Sequence, residues 1–128
     1  MTVATQGLVN PVGGELVTLT QASPGVGVAR TAEVVAPGGG AGSKTVYAIQ
    51  VDNTLNPATT YLKCWTSSPA VGGDAPTVIL KASASTKVQY SFDVGFTMSA
   101  IYAATLTTNG TVGTTAPDAT VTVKFLLS

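Results

Sequence analysis

The 128-residue chain has six carboxylates, one cysteine and one tryptophan as candidates for chemistry, and no histidine. Lacking histidine, it lacks the commonest general base and the commonest neutral metal ligand. The carboxylates are Glu15, Glu33, Asp52, Asp74, Asp93 and Asp118. None forms a close pair, and none has the alternating spacing with which a calcium loop converges its oxygens on one cation. Two distant acids could still meet in the fold as a glycosidase pair does. However, Asp52-Asn53, Asp74, Asp93 and Asp118 each adjoin turn residues, where an aspartate normally accepts hydrogen bonds from nearby backbone amides. The serines and threonines have no base partner to activate them. The run Gly38-Gly39-Gly40-Ala41-Gly42-Ser43-Lys44-Thr45 has glycines and a lysine but not the Gly-Lys-Ser/Thr order that opens a helix onto phosphate. It leads instead into a strand-like segment and reads as a plain loop. No catalytic residue, no metal-ligand set and no cofactor site is expected, and the chain is not read as an enzyme.

Cys64 and Trp65 sit together in Tyr61-Leu62-Lys63-Cys64-Trp65. A single cysteine cannot form an intrachain disulfide, and with no histidine to activate it, it reads as a small buried hydrophobe. Trp65 lies near a strand end, three residues before a turn. Two readings stand: a sugar-stacking platform, or packing in the core or a subunit interface.

Composition narrows the setting. Charged residues make up 9% of the chain and the six positive and six negative charges cancel, against about 25% in an average globular domain. No basic stripe exists to neutralise phosphates, so a nucleic-acid partner has no electrostatic footprint. A weakly charged surface gives little repulsion between molecules in free solution and suits a protein packed into an assembly. No apolar run reaches the roughly 20 residues needed to span a bilayer, and the first residues lack the basic and apolar regions of a secretory signal. The expectation is a soluble protein made in the cytoplasm, with no membrane partner. Hydrophobic residues reach 45%, enough material for one core.

The elements that would position these residues are strands. Fourteen glycines and seven prolines divide the chain into strand-sized runs rich in Val, Thr, Ile and Tyr. Val88, Tyr90 and Phe92 alternate with Lys87, Gln89 and Ser91, and Val121, Val123 and Phe125 alternate with Thr120, Thr122 and Lys124. Both runs predict half-buried antiparallel strands. Tyr47, Ile49 and Val51 mark a more central strand. Residues 77–81 lead through Ser83-Ala84-Ser85 into the Lys87 strand as a hairpin. Phe96, Met98, Ala100, Tyr102 and Leu106 continue the alternation; 99–106 taken alone also fits a short helix, and a strand is the preferred reading. Further strands are expected over Glu15–Gln21 and Val26–Ala36. The fold class expected is all-β: a single antiparallel β-sandwich or jelly-roll-like domain over residues 15–128, preceded by an extended N-terminal arm over residues 1–14.

The middle of the chain also carries a pattern: Tyr61-Leu62-Lys63, then Pro69-Ala70-Val71-Gly72-Gly73-Asp74-Ala75-Pro76, then Thr77-Val78-Ile79-Leu80, and later Gly95-Phe96-Thr97-Met98-Ser99. It resembles small virion-associated proteins of tailed phages and prophages. The likeness covers about residues 44–128, and it departs where those proteins have a glycine between the two central strands and this chain has Ser83-Ala84-Ser85. Independently of any likeness, Pro69 and Pro76 fix the backbone at both ends of their loop, Gly72 and Gly73 permit positive φ, and Asp74 can close the turn. A stiff loop loses little entropy on contact and makes a good recognition surface; a rigid turn with no partner is the other reading.

The resemblance implies a virion structural protein, expected first as a capsid decoration (cement) protein on the outer surface of the phage head. Its partners would be the major capsid protein and further copies of itself, as a trimer or dimer. The arm, through Val3, Leu8, Val9 and Pro11, would lie along the coat protein. The alternative is a receptor- or carbohydrate-binding module of a fibre or tail tip, engaging a host-surface glycan through Trp65 and Pro69, Val71, Asp74 and Pro76; a minor head–tail component is a third reading.

Overall fold

The computed structural model describes residues 15–25, 28–36 and 44–128; the 1–14 arm, with Val3, Leu8, Val9 and Pro11, lies outside the described residues. Eight strands appear among them: β1 (Glu15–Gln21), β2 (Glu33–Ala36), β3 (Lys44–Asp52), β4 (Thr60–Trp65), β5 (Val78–Ala82), β6 (Lys87–Met98), β7 (Ile101–Leu106) and β8 (Val121–Leu127). They form two four-stranded sheets, β1-β8-β3-β6 and β2-β7-β4-β5, and every pairing is antiparallel. Strand 1 pairs with 8, 2 with 7, 3 with 6 and 4 with 5. The chain is thus one long hairpin, doubled back at the β4–β5 loop and rolled into a sandwich, which is the jelly-roll arrangement.

Alternation within the strands supplies the core. Val121, Val123, Phe125 and Leu127 of β8 face Leu62 and Cys64 of β4 and Ile101 and Ala103 of β7 in one apolar cluster, with Val46, Ile49 and Val51 of β3. The alternation expected along β3 is interrupted at Tyr47. The register shifts there, so Val46 and Ile49 both point inward while Tyr47 is 39% exposed. On the opposite strand the shift is taken up between Ser91 and Phe96, and Gly95 adopts φ +71° within it. A Cβ at Gly95 would stand 2.5 Å from Thr45 Cγ2 and 3.0 Å from Val46 O, so this bulge requires glycine.

One polar side chain on each flank ties the sheets together, Gln21 buried and Tyr90 half-buried. Gln21, at the end of β1, crosses to β7: its Nε2 donates to Ala103 O and its Oε1 accepts from Thr105 N at 2.7 Å and Thr105 Oγ1 at 2.8 Å. β2 pairs with β7 only as far as Ala103, so the glutamine satisfies an edge that the short strand leaves open. On the other flank the Tyr90 hydroxyl of β6 donates to Lys81 O of β5.

Three expectations are corrected. The strand expected from residue 26 begins only at Glu33, because Arg30 N donates to Thr114 O and Ala29 bridges Thr115, drawing residues 29–30 away from β7. Residues 82–87 do not make a hairpin: β5 and β6 belong to different sheets, and the turn between them is an arch across the sandwich. Within it Ser85 adopts φ 56°, a left-handed conformation that glycine takes more readily. Finally, the alternation read through Phe96 to Leu106 is broken at Ser99-Ala100, where the chain changes sheets. Beyond it Ile101 and Ala103 are the inward residues, not Tyr102.

Candidate functional site

The residues singled out in the sequence converge on the outer face of the second sheet. β4 turns Leu62 and Cys64 into the core and therefore Lys63 and Trp65 outward. Yet Lys63 is 0% and Trp65 3% exposed, because two loops cover this face. The first, residues 66–77, is the only connection among the described strands that joins two strands of one sheet. The second, residues 107–120, runs from β7 to β8.

The first loop is fastened at each end and in the middle. Thr77 N donates to Cys64 O, continuing the β4–β5 ladder by one pair. Gly73 N and Asp74 N both donate to Ala70 O, while the Asp74 carboxylate accepts from Ala70 N at 2.8 Å. Gly72 sits at φ +88° in this closed turn, and a Cβ there would come within 3.0 Å of Thr114 Cγ2, so the glycine also lets the two loops touch. Trp65 Nε1 donates to Asp74 O at 2.9 Å. Its ring packs with Ala104 and Leu106 of β7, Val71 of the loop, Ala32 and Tyr102. Trp65 is therefore the post that holds the loop, and no face of it is open for stacking on a sugar. Pro69, Val71 and Pro76 are half-buried and Asp74 is exposed with its carboxylate turned to its own turn. The structure brings these candidates together, but as a packed lid.

Lys63 has a different partner. Its ammonium donates to Val112 O at 3.1 Å under the second loop, and the side chain lies between Ala104 of β7 and Ile79 of β5 in the sheet register. No carboxylate within 4.0 Å pairs with it; among the described residues the salt bridge is Lys44 to Glu15. Burial pushes the Lys63 pKa down, since the charged form is the one that loses hydration. The unfolded chain therefore holds this proton more tightly than the folded one, and the fold gains stability as pH rises through the folded pKa toward the ordinary value of 10.5. Lys63→Met keeps the length and the apolar stem and removes the charge. We expect it to raise stability at pH 7 by about 1–2 kcal/mol. The difference should narrow when urea unfolding is repeated at pH 10.

Two further chemistry-bearing side chains are taken up by the fold. Cys64 is 1% exposed on the core face, and burial pushes its thiol up to about 12. Burial raises the Asp52 pKa, but hydrogen bonds from Thr54 Oγ1 and N and the charges of Lys87 and Lys124 outweigh it and hold the carboxylate below its usual range. Among the described residues no three His, Cys, Asp or Glu side chains gather as a metal site would require.

The chain has no significant match among protein families, curated proteins or solved structures. The site therefore has to be read from its own geometry.

Two further features escaped the sequence reading. At the end of the sandwich where β4 begins, Asn53, Asn56 and Thr60 form a buried polar cluster. Beside it a cleft of about 240 Å³ opens, walled by Pro57, Ala58, Thr59, Thr107, Ala116, Pro117 and Asp118. The cleft lacks an aromatic face, and the Asn56 amide is wholly committed to Asn53 and Ala119. The second feature is the open edge of β6, which among the described residues is the longest strand and pairs on one side only. The alternation of Lys87 to Phe92 indicated a strand, but nothing in it told an edge strand from a central one.

Proposed function

We propose that this chain is a non-enzymatic structural protein of a tailed-phage particle, acting as a decoration protein on the outer surface of the head. The observation that carries the reading is the surface. A jelly roll with 9% charged residues leaves Val94 89%, Leu55 67%, Val112 63% and Val34 56% exposed. Such a surface gives little charge repulsion between copies, and these side chains are available for repeated contact in a lattice. The pattern of residues 61–80 that resembles virion-associated proteins forms one unit, a sheet face with its locked lid, so the likeness follows a feature the fold has a use for. β1, which follows residues 1–14 in the sequence, starts at Glu15 on the edge of the first sheet. Val3, Leu8, Val9 and Pro11 would make the contact with the major capsid protein.

The test is a copy count in purified particles, by quantitative mass spectrometry against the coat protein, for the full chain and for a variant lacking residues 1–14. The expected result is hundreds of copies for the full chain and loss of incorporation for the truncated one, which remains folded in solution. A dozen copies or fewer would refute lattice-wide decoration and place the protein at a vertex, fibre or tail. Normal incorporation of the truncated chain would refute the role of the arm. Trp65 is 3% exposed, so the glycan-binding alternative would rest on Pro69, Val71, Asp74 and Pro76 of the loop without the tryptophan face.

A further inference from the structure

We propose that the free edge of β6 pairs with the same edge of a second copy, in antiparallel register about a two-fold axis at Tyr90. The backbone sets the first condition. Asn53 N donates to Thr86 O, and with Asp52 opposite Lys87 and Val51 opposite Val88, the alternation of an antiparallel ladder turns Thr86, Val88 and Tyr90 toward β3. The N–H and C=O groups of Lys87, Gln89 and Ser91 therefore point away from β3, with no strand beside them among the described residues.

The side chains supply the second condition, and they are self-complementary in one register. With Tyr90 opposite its own copy, Lys87 falls opposite Asp93, and Gln89 opposite Ser91. Lys87, Gln89 and Ser91 share the outward face by the two-residue period, and Asp93, also exposed, follows where the bulge begins. Lys87 and Asp93 are exposed, and among the described residues neither has a salt bridge. Two-fold symmetry would make the Lys87–Asp93 contact twice. The third condition is an unmet hydrogen bond. Gln89 Oε1 is shielded from solvent and has no partner among the described residues, while Gln89 Nε2 donates to Ser91 Oγ at 3.2 Å. In the paired edge the hydroxyl of the second copy's serine arrives opposite that oxygen and can donate to it. The 12-residue edge strand has no proline or inward charge, and its bulge lies beyond Ser91, outside the Gln89–Ser91 pairs that this register forms. A two-fold contact closes after two copies, so the product is a dimer and not a fibre.

This goes beyond the virion reading and does not depend on it, because the test is made in solution. Sedimentation equilibrium of the full chain should show a monomer–dimer equilibrium. Asp93→Lys sets like charges opposite each other twice and should weaken dimerisation by roughly tenfold. Adding Lys87→Asp restores opposite charges and should bring the dissociation constant back to within about threefold of wild type. Ser91→Pro removes an outward N–H without touching the β3 ladder and should give a folded monomer. A wild-type monomer at high concentration, a trimer, or a dimer indifferent to the charge swap would each overturn the proposal. The charge-swap pair keeps the test valid should the proline variant fail to fold. A monomer in solution that still coats particles would overturn this proposal and leave the decoration reading intact.

Discussion

Trp65→Ala is expected to destabilise the protein by about 3–5 kcal/mol and to release the 66–77 loop from the sheet. The ring is 3% exposed and lies among Ala104, Leu106, Val71 and Tyr102. Ala104 is too small to collapse into the space left behind, so most of the cavity would persist. The indole N–H also holds Asp74 O, and its loss frees the turn that the Asp74 carboxylate closes on Ala70. Trp65→Phe separates the two contributions. It retains most of the apolar contact, gives up the hydrogen bond and some volume, and should cost about 1–2 kcal/mol. Chemical unfolding followed by circular dichroism measures both variants on one scale, which fluorescence cannot do because Trp65 is the only tryptophan. The result also decides what the residue is for. A surface platform would lose a ligand on substitution and leave stability within about 0.5 kcal/mol. A post under a lid would lose stability first, and any contact made by the lid would fail as a consequence.

That contrast shows where the sequence was legible. Residues 120–125 and 87–92 announced half-buried strands because each has one solvent-facing side, and alternation survives only where the two faces differ. β4 was visible as a strand, but its outer face was not visible as an interior, since a lysine and a tryptophan on alternate positions look the same whether water or a loop covers them. Trp65 is covered by the 66–77 loop and Lys63 by the 107–120 segment, whose Thr, Gly and Asn composition reads as an exposed loop. Small residues are what let it lie flat on the sheet: Gly113 has φ +96°, and a Cβ there would strike Thr108 at 2.7 Å. The β5–β6 hairpin was misread for a related reason. A short polar turn between two alternating runs is the local signature of a hairpin, and nothing local reports that the second run continues in the opposite sheet. Strand pairing in a jelly roll is set by contacts between the two ends of the chain, as Glu15 opposite Leu127 shows, and these leave no periodic trace. The turn aspartates, by contrast, were read correctly at Asp52 and Asp74, because an Asp–backbone bond depends on residues two to four positions away.

Asn53 carries the second large effect, and it lies at the opposite end of β4 from the lid. Its side chain is wholly buried and serves three segments at once. Nδ2 donates to Ala58 O at 3.0 Å, to Ser83 O at 3.1 Å and to Ala82 O at 3.3 Å. Oδ1 accepts from Thr60 Oγ1 at 2.8 Å and from Asn56 Nδ2 at 3.0 Å. Asn56 in turn exchanges hydrogen bonds with Ala119, just before β8. One amide thus joins the β3–β4 connection, the β5–β6 arch and the entry to β8, where backbone groups have left the ladders and need other partners. Asn53→Ala strands buried donors on Thr60 and Asn56, and we expect a cost of about 4 kcal/mol. Asn53→Asp is nearly isosteric, so a purely steric role would leave it tolerated. A carboxylate, however, would face three carbonyl oxygens, and burial among them raises its folded pKa above the unfolded value. The fold of that variant should therefore be as weak as the alanine variant at pH 7 and recover part of its stability near about pH 4, as the aspartate takes up a proton and regains a donor. Recovery on acidification is opposite in sign to what Asp52 gives the wild type, whose lowered pKa makes its contribution fall as pH falls. Urea midpoints at the two pH values for wild type and Asn53→Asp separate these trends, and a variant as stable as wild type at pH 7 would show that the amide's donors are not what holds the end of the sandwich closed.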